Sequence, residues 1–119
     1  MKHGGRHFTL EQKQEMLFRD GPMCALGCGK IAVDADHAYR LSTYLPYIEE
    51  TWNGNLLCRQ CHTDVTLPDN KQKWEKSLRV LQMALQRLYK AHPYQTHYTA
   101  HYNHYKSRVA RFKQLYGNE

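Results

Sequence analysis

The amino-acid sequence predicts a small α+β fold, in which a core stapled by a structural metal lies between an N-terminal helix and a C-terminal antiparallel helical hairpin. Three observations favour this fold. All four cysteines lie between positions 24 and 61, as two close pairs. Two short stretches that fit β-strands separate the pairs. Beyond position 69, apolar residues recur at intervals of three and four through two long segments, which is the spacing of amphipathic helices.

The length and composition are those of one globular domain. The chain has 119 residues, of which 41% are hydrophobic and 24% charged. A domain of this size buries a limited core, so a metal staple is common. No apolar run approaches the roughly 18 residues of a membrane span, and no secretory signal is visible. We therefore expect a reducing cytoplasm, where close cysteine pairs favour a metal over disulfides.

Positive charge is concentrated in the second half of the chain. The formal net charge is +6, but residues 1–68 carry seven Lys and Arg against eight Asp and Glu. Residues 69–119 carry ten against three, a net charge of +7. This asymmetry favours a polyanionic partner, nucleic acid first. A solvated basic helical face is the alternative interpretation.

Local signals predict the first helix and the two strands. Thr9 and Gln12 form a capping box for a helix that runs to about Arg19 and ends at Asp20-Gly21-Pro22. Residues 31–37 alternate weakly, which predicts a strand with apolar residues on one side and Asp34 and Asp36 on the other. Residues 54–57 predict a second strand with leucines in the core. A short helix then opens at the second cysteine pair and ends at Leu67-Pro68.

The segment from 69 to 119 predicts a basic helical extension of the core formed by residues 1–68. Asp69 or Asn70 caps the first helix, and His92-Pro93 separates it from the second. The apolar stripes consist of Trp74, Leu78, Leu81, Leu85 and Leu88, and of Tyr98, Tyr102, Tyr105, Val109, Phe112 and Tyr116. Matching stripes joined by a short turn predict an antiparallel hairpin, with a homodimer through these helices as the alternative.

The two cysteine pairs predict a structural zinc site. Cys24 and Cys28 are separated by three residues, and Cys58 and Cys61 by two. Two chelating pairs of thiolates supply the closed tetrahedral sphere that structural zinc prefers. A closed sphere leaves no position for substrate, so this metal would hold the fold and do no chemistry. Free or disulfide-bonded cysteines are the alternative.

A second group of polar residues is threaded through the zinc segment. His37 follows Asp36 at a strand end, and His62 follows the last cysteine at a helix start. Because the zinc would tie the two segments together, these side chains can converge. A carboxylate and an imidazole make a site for a divalent cation, and a neighbouring imidazole is a candidate general base. The combination fits metal-assisted hydrolysis of a phosphodiester.

The stretch from about Arg19 to Thr66 resembles the HNH endonuclease family, the ββα-metal nucleases, in its four-cysteine zinc-binding form. The matching residues are Asp20-Gly21, Cys24, Cys28, Asp36-His37, Asn53 ahead of Leu56-Leu57-Cys58, and Cys58-x-x-Cys61-His62. The resemblance implies a ββα-metal core and a divalent-metal-dependent endonuclease that hydrolyses DNA.

The resemblance also implies a role for each matching residue. His37 would be the general base, and Asp36 and His62 would hold a catalytic Mg²⁺ or another divalent cation. Asn53 would fix the loop that carries His37, with Asn55 as a competing choice. The four cysteines would hold zinc.

The sequence departs from the family pattern at two places. Val65 stands where the family often has a lysine, and Ala38-Tyr39-Arg40 replaces a segment that is often apolar and ends in proline. We therefore expect either weaker phosphate contact and activity, or phosphate contacts from other basic residues. The candidates are Arg40, Arg59, Lys71, Lys73 and Lys76.

The rival interpretation is a catalytically inactive zinc-binding adaptor for DNA or protein. One nuclease core would nick one strand at a time, and a dimer would cut both. A small solitary nuclease resembles phage-encoded or mobile-element enzymes, which would place it in the host cytoplasm. His97, His101 and His104 share one helix face, where surface or boundary positions are expected rather than a second metal site.

Overall fold

Four α-helices and a two-stranded antiparallel sheet make up the fold. The structure is a computed structural model that describes residues 7–39, 50–91 and 96–117. Arg40, the turn at His92-Pro93 and the side chain of His97 lie outside the described residues. The elements are α1 (Leu10–Asp20), β1 (Asp34–His37), a 3-10 helix (Thr51–Asn53), β2 (Gly54–Leu57), α2 (Arg59–Thr66), α3 (Lys71–Ala91) and α4 (Thr96–Tyr116).

Helix α1 begins and ends where its sequence signals predict. The Thr9 hydroxyl accepts from the Gln12 backbone N–H at 3.1 Å, and the Thr9 N–H donates to the Gln12 side chain at 2.8 Å. These two bonds confirm the capping box. Gly21 ends the helix with φ of 82°, a conformation that glycine adopts without strain. Arg19, in the last turn, ties the helix to the sheet by donating to the Gly54 carbonyl at 2.8 Å.

The two strands pair antiparallel, with Asp34 opposite Leu57 and His37 opposite Gly54. Strand β1 is shorter than predicted, since Ile31 forms an isolated bridge with Met23 instead of extending it. Two residues on the predicted apolar side, Ile31 and Val33, are exposed, whereas Ala35 packs against the cluster of Phe8, Met16 and Leu56. Ile31 is 66% exposed, whereas Asp36 is 1% exposed. The carboxylate side is turned inward because α2 places a histidine against it.

Helix α2 follows β2 directly, so the order is strand, strand, helix. Leu56 and Leu57 are buried as predicted, and Leu67 ends α2. Helix α3 is capped by Asn70, whose side chain accepts from the Lys73 N–H at 2.9 Å. Of the two predicted caps, Asp69 and Asn70, this hydrogen bond identifies Asn70 as the N-cap.

Helices α3 and α4 pack antiparallel. The Trp74 and Phe112 rings lie 6.4 Å apart at one end of the pair, and the Tyr89 and Tyr98 rings lie 5.5 Å apart at the other. The predicted hairpin packing is therefore present. In the part of the chain that is described, no helix combines the length and apolar composition that crossing a bilayer requires.

The face of α4 that packs against the core contains a histidine in addition to residues of the aromatic stripe. His101 is fully buried and lies edge-on against Tyr39 at 4.5 Å and Trp52 at 5.1 Å between ring centroids. Tyr102, in contrast, is exposed. The expected surface or boundary position is therefore wrong for His101, because two aromatic rings from the first half of the chain surround it.

Helix α3 shares its core with the cysteine-containing half. Leu57, Cys58 and Val65 pack with Val80 in one cluster. A second cluster consists of Ala38, Tyr39, Trp52, Leu81, Ala84, Leu85 and Leu88. Residues on both sides of position 68 thus bury each other.

Gly54 is required where α1 crosses the sheet. A Cβ atom at this position would contact the Met16 sulfur and lie 2.9 Å from the Phe8 ring. We expect Gly54→Ala to lower the free energy of unfolding by about 1–2 kcal/mol, because buried side chains must shift to admit the methyl group. Urea denaturation measures this change. Gly117→Ala cannot serve as a control, because a Cβ atom there would crowd the Lys113 backbone. An unchanged urea midpoint for Gly54→Ala would contradict the prediction.

Candidate functional site

The four cysteines form one cluster. Their sulfur atoms all lie within 4.8 Å of one another, and the Cys28 and Cys58 sulfurs are 3.5 Å apart. A tetrahedral zinc ion with bonds of about 2.3 Å would separate its sulfur ligands by about 3.8 Å. All four are free thiols. The donor set and spacing therefore could hold a metal such as zinc, as the two pairs predict.

Local backbone geometry places each cysteine. Gly27 and Gly29 have φ of 73° and 87°, which lets the chain turn tightly around Cys28. The Cys24 N–H donates to the Lys30 carbonyl at 2.8 Å and closes this turn. Cys58 is the N-cap of α2, and its sulfur accepts from the Cys61 N–H at 3.3 Å.

Because the cysteine cluster is largely buried, its thiolate form needs positive charge nearby. Desolvation raises the pKa of the Cys61 thiol to about 12, while a backbone hydrogen bond at Lys30 lowers that of Cys28 to about 7. Lys76 lies beside the cluster, with its ammonium 3.6 Å from the Cys61 sulfur and 2.7 Å from Asp64. A bound cation would supply the remaining charge that buried thiolates need.

A second cluster lies on the side of β1 that faces α2. Asp34 and Asp36 are two positions apart on the strand, so both carboxylates point to the same face. His62 lies between them. Its Nδ1 is 3.0 Å from an Asp34 oxygen, and its Nε2 is 3.3 Å from an Asp36 oxygen. The structure thus brings together the two predicted divalent-metal ligands, Asp36 and His62.

Arg59 completes this cluster from the first turn of α2. Its guanidinium donates to both Asp34 oxygens, at 2.7 and 3.1 Å. The Arg59 hydrogen bond holds the pKa of Asp34 below its ordinary value, although partial burial opposes the shift. Asp34 is therefore ionised at neutral pH and fixes the His62 ring through Nδ1.

His37 takes the other side of β1. Its ring stacks on Phe8, with centroids 4.1 Å apart and an angle of 13° between the planes. Strand alternation accounts for this placement, since neighbouring residues of a strand point to opposite faces. The predicted base therefore lies next to the Asp36 backbone, while its ring faces the N-terminal segment.

Asn53 holds the chain that follows His37. Its side-chain oxygen accepts from the Tyr39 N–H at 2.8 Å, and its amide donates to the Tyr39 carbonyl at 3.0 Å. Asn55 instead contacts α3, where it accepts from Arg87 at 2.8 Å. Of the two candidate asparagines, Asn53 has the contacts expected for fixing the loop after β1.

Removal of the Asn53 side chain is expected to destabilise this loop. In Asn53→Ala the Tyr39 N–H and carbonyl lose their side-chain partner at a buried site, which costs about 2–3 kcal/mol of unfolding free energy. Chemical denaturation followed by tryptophan fluorescence measures it, because Trp52 is adjacent in sequence. Asn103→Ala, on the exposed side of α4, is the matched control. Equal midpoints for the two variants would contradict the assignment.

Three of the five predicted phosphate-contacting residues are engaged in ion pairs within the protein. Arg59 pairs with Asp34, as described above, and Lys76 with Asp64. Lys73 lies 3.0 Å from Asp69. Lys71 stands at the start of α3, and Arg40 lies outside the described residues. Their contact with DNA stays a prediction.

Sequence reasoning missed two residues that shape the site. Asp34 contacts His62 although the two are 28 positions apart. The sequence feature that could have indicated Asp34 is its position two residues before Asp36, on the same strand face. Arg87 donates to the Trp52 carbonyl and to Asn55, at 2.9 and 2.8 Å. The sequence feature that could have indicated Arg87 is its position next to Leu88, close to the apolar stripe of α3.

The comparisons with known proteins give no relative from which a function could be transferred. No family model matches the chain, and no curated protein or solved structure matches it.

Proposed function

We propose that this chain is a divalent-metal-dependent endonuclease of the HNH type that hydrolyses phosphodiester bonds in DNA, and that zinc in the cysteine cluster is structural. The observation that carries the proposal is the pairing of Asp36 and His62 on a strand–strand–helix unit stapled by four cysteines. Their oxygen and nitrogen atoms are 3.3 Å apart.

The donor set fits a divalent cation. An octahedral ion with bonds of about 2.1 Å has neighbouring ligand atoms about 3.0 Å apart. In the tautomer that donates its Nδ1 proton to Asp34, the His62 Nε2 lone pair would face the Asp36 carboxylate. Two electron-rich atoms turned towards each other would favour a cation between them. A carboxylate behind a metal-binding histidine is a common arrangement for fixing the ring.

Each residue then has a defined task in hydrolysis. Asp36 and His62 would hold the cation, which would stabilise negative charge on the scissile phosphate and the leaving oxygen. His37 would accept a proton from the attacking water. Since Nε2 of His37 is inaccessible to solvent, we assign that proton to Nδ1. Asn53 would keep the backbone after His37 in place through its two bonds to Tyr39.

One observation favours the second candidate function, an inactive zinc-binding adaptor for DNA or protein. The His37 ring stacks on Phe8, on the strand face opposite the Asp36 and His62 pair. In a working nuclease this ring must reach the same phosphate as the cation. The adaptor keeps the shape without chemistry and needs no such approach.

A plasmid-nicking assay separates the two functions. We expect the wild type to convert supercoiled plasmid to the nicked form with Mg²⁺, Mn²⁺ or Ni²⁺. We expect His37→Ala to slow this by about 10²- to 10⁴-fold, the usual contribution of a general base. His7→Ala, at an exposed position, is the matched control. No metal-dependent nicking by the wild type, or undiminished nicking by His37→Ala, would favour the adaptor.

A further inference from the structure

A groove runs between α3 and α4 on the part of the hairpin nearest residue 91. Its volume is about 680 Å³. Four of its lining residues are tyrosines, and the rest are mostly polar. The lining consists of Gln82, Leu85, Gln86, Tyr89, Lys90, Tyr98, Tyr102 and Tyr105.

The tyrosines are arranged as a floor and two walls. Tyr98 and Tyr105 pack against the core below the groove. Tyr89 and Tyr102 are 56% and 41% exposed, so their rings stand in solvent on either side. Tyr98 contacts both walls, edge-on with Tyr89 at 5.5 Å and nearly parallel to Tyr102 at 6.1 Å. The three rings are therefore in mutual contact along the groove.

The charge around the groove is positive. Lys90 lines it, and the Lys106 ammonium lies 5.4 Å from the centre of the Tyr102 ring. None of the described residues that line it is acidic. Helices α3 and α4 together carry ten Lys and Arg against one acidic residue, Glu75. An anionic occupant with flat, stacking groups complements both properties.

We propose that this tyrosine groove binds a single-stranded segment of nucleic acid, with bases against the tyrosine rings and phosphates beside Lys90 and Lys106. Aromatic side chains in a basic groove bind single strands because each base has a face that can stack. Paired bases in a duplex have no free face, so a duplex can use only the lysines. The groove would hold a strand apart from the Asp36 and His62 cluster, and it goes beyond the proposed hydrolysis.

The test is fluorescence anisotropy with a labelled 20-nucleotide oligothymidine, in buffer without divalent cations and with the full chain. We expect Tyr102→Ala and Tyr89→Ala each to weaken binding by about 5- to 100-fold, the range of one lost stacking contact. Tyr102→Phe keeps the ring and should bind like the wild type. Binding of a 20-base-pair duplex should change less than twofold in all three variants.

The salt dependence tests the lysines separately. Lys106→Ala should reduce the slope of log K against log salt concentration by about 0.7. Lys13→Ala, an exposed lysine of α1, should leave the slope unchanged. Because no cleavage is measured, this outcome is independent of the nicking assay: a chain that fails to nick can still bind the oligonucleotide in the groove.

Two results would overturn the proposal. The first is oligothymidine binding that Tyr102→Ala and Tyr89→Ala leave unchanged. The second is a groove that holds another copy of this chain, recognised when light scattering shows a wild-type dimer that Tyr102→Ala converts to monomer without loss of oligonucleotide affinity.

Discussion

Cys58→Ser is expected to lose its bound zinc and its cooperative thermal transition. Serine is a good N-cap, so α2 keeps its first hydrogen-bond acceptor and the substitution isolates the loss of a metal ligand. A structural zinc site contributes about 10–16 kcal/mol of apparent binding free energy. This exceeds the whole stability of many small domains, about 5–15 kcal/mol. The cluster that packs Leu57 and Val65 around the cysteines should therefore melt.

Elemental analysis and circular dichroism check this expectation. The purified wild type should contain one zinc per chain and Cys58→Ser much less than one, with no sharp melting transition. His37→Ala is the control, since it removes a metal-capable ring outside the cysteine cluster and should keep one zinc. A wild type that is folded and free of metal would contradict the zinc assignment. So would zinc lost from His37→Ala.

Arg87→Met should destabilise the docking of α3 against the sheet by about 3–5 kcal/mol. The guanidinium donates to the Trp52 carbonyl, to the Gly54 carbonyl and to the Asn55 side chain, at 2.9, 3.1 and 2.8 Å. Burial lowers the pKa of Arg87 to about 10, so it remains charged at neutral pH. Hydrogen bonds from charged groups are worth about 1.5–3 kcal/mol each. Methionine keeps the length and apolar stem but removes this charged donor from the Trp52 carbonyl and the Asn55 side chain, while the Gly54 carbonyl keeps its hydrogen bond from Arg19.

Thermal melting measures the effect, with an expected fall in Tm of about 10–20 °C. Arg79→Met is the matched control, because Arg79 lies on the exposed side of the same helix. It should melt within a few degrees of the wild type. If Arg87→Met and Arg79→Met melt together, the three hydrogen bonds do not anchor α3.

Elements with strong local signals were predictable from the sequence. The capping box at Thr9, the cysteine spacing and the turn at Leu67 each act within a few residues. The hairpin follows from the regular apolar spacing of α3 and α4. Strand β1 was predicted too long, because the alternation at Ile31 and Val33 indicates a strand but does not say which side is buried.

The sequence predicted which residues belong to the candidate site, but not how their side chains are arranged. Asp36 is buried because His62 faces it, and His101 because Tyr39 and Trp52 surround it. These partners are distant in sequence and leave no local pattern. The direction of the His37 ring was also not predictable, since adjacency to Asp36 in the chain means opposite faces in a strand. The choice of Asn53 over Asn55 needed the Tyr39 contacts.

Strand β2 limits which helices the fold can exchange during evolution. All four of its residues are buried, with α1 packed on one side through Gly54 and α3 held on the other through Asn55. Neither helix can be exchanged for an unrelated one without altering the strand that links the cysteine cluster to the Asp–His cluster. We therefore expect recombination between related chains to be tolerated only when α1, β2 and α3 are exchanged together.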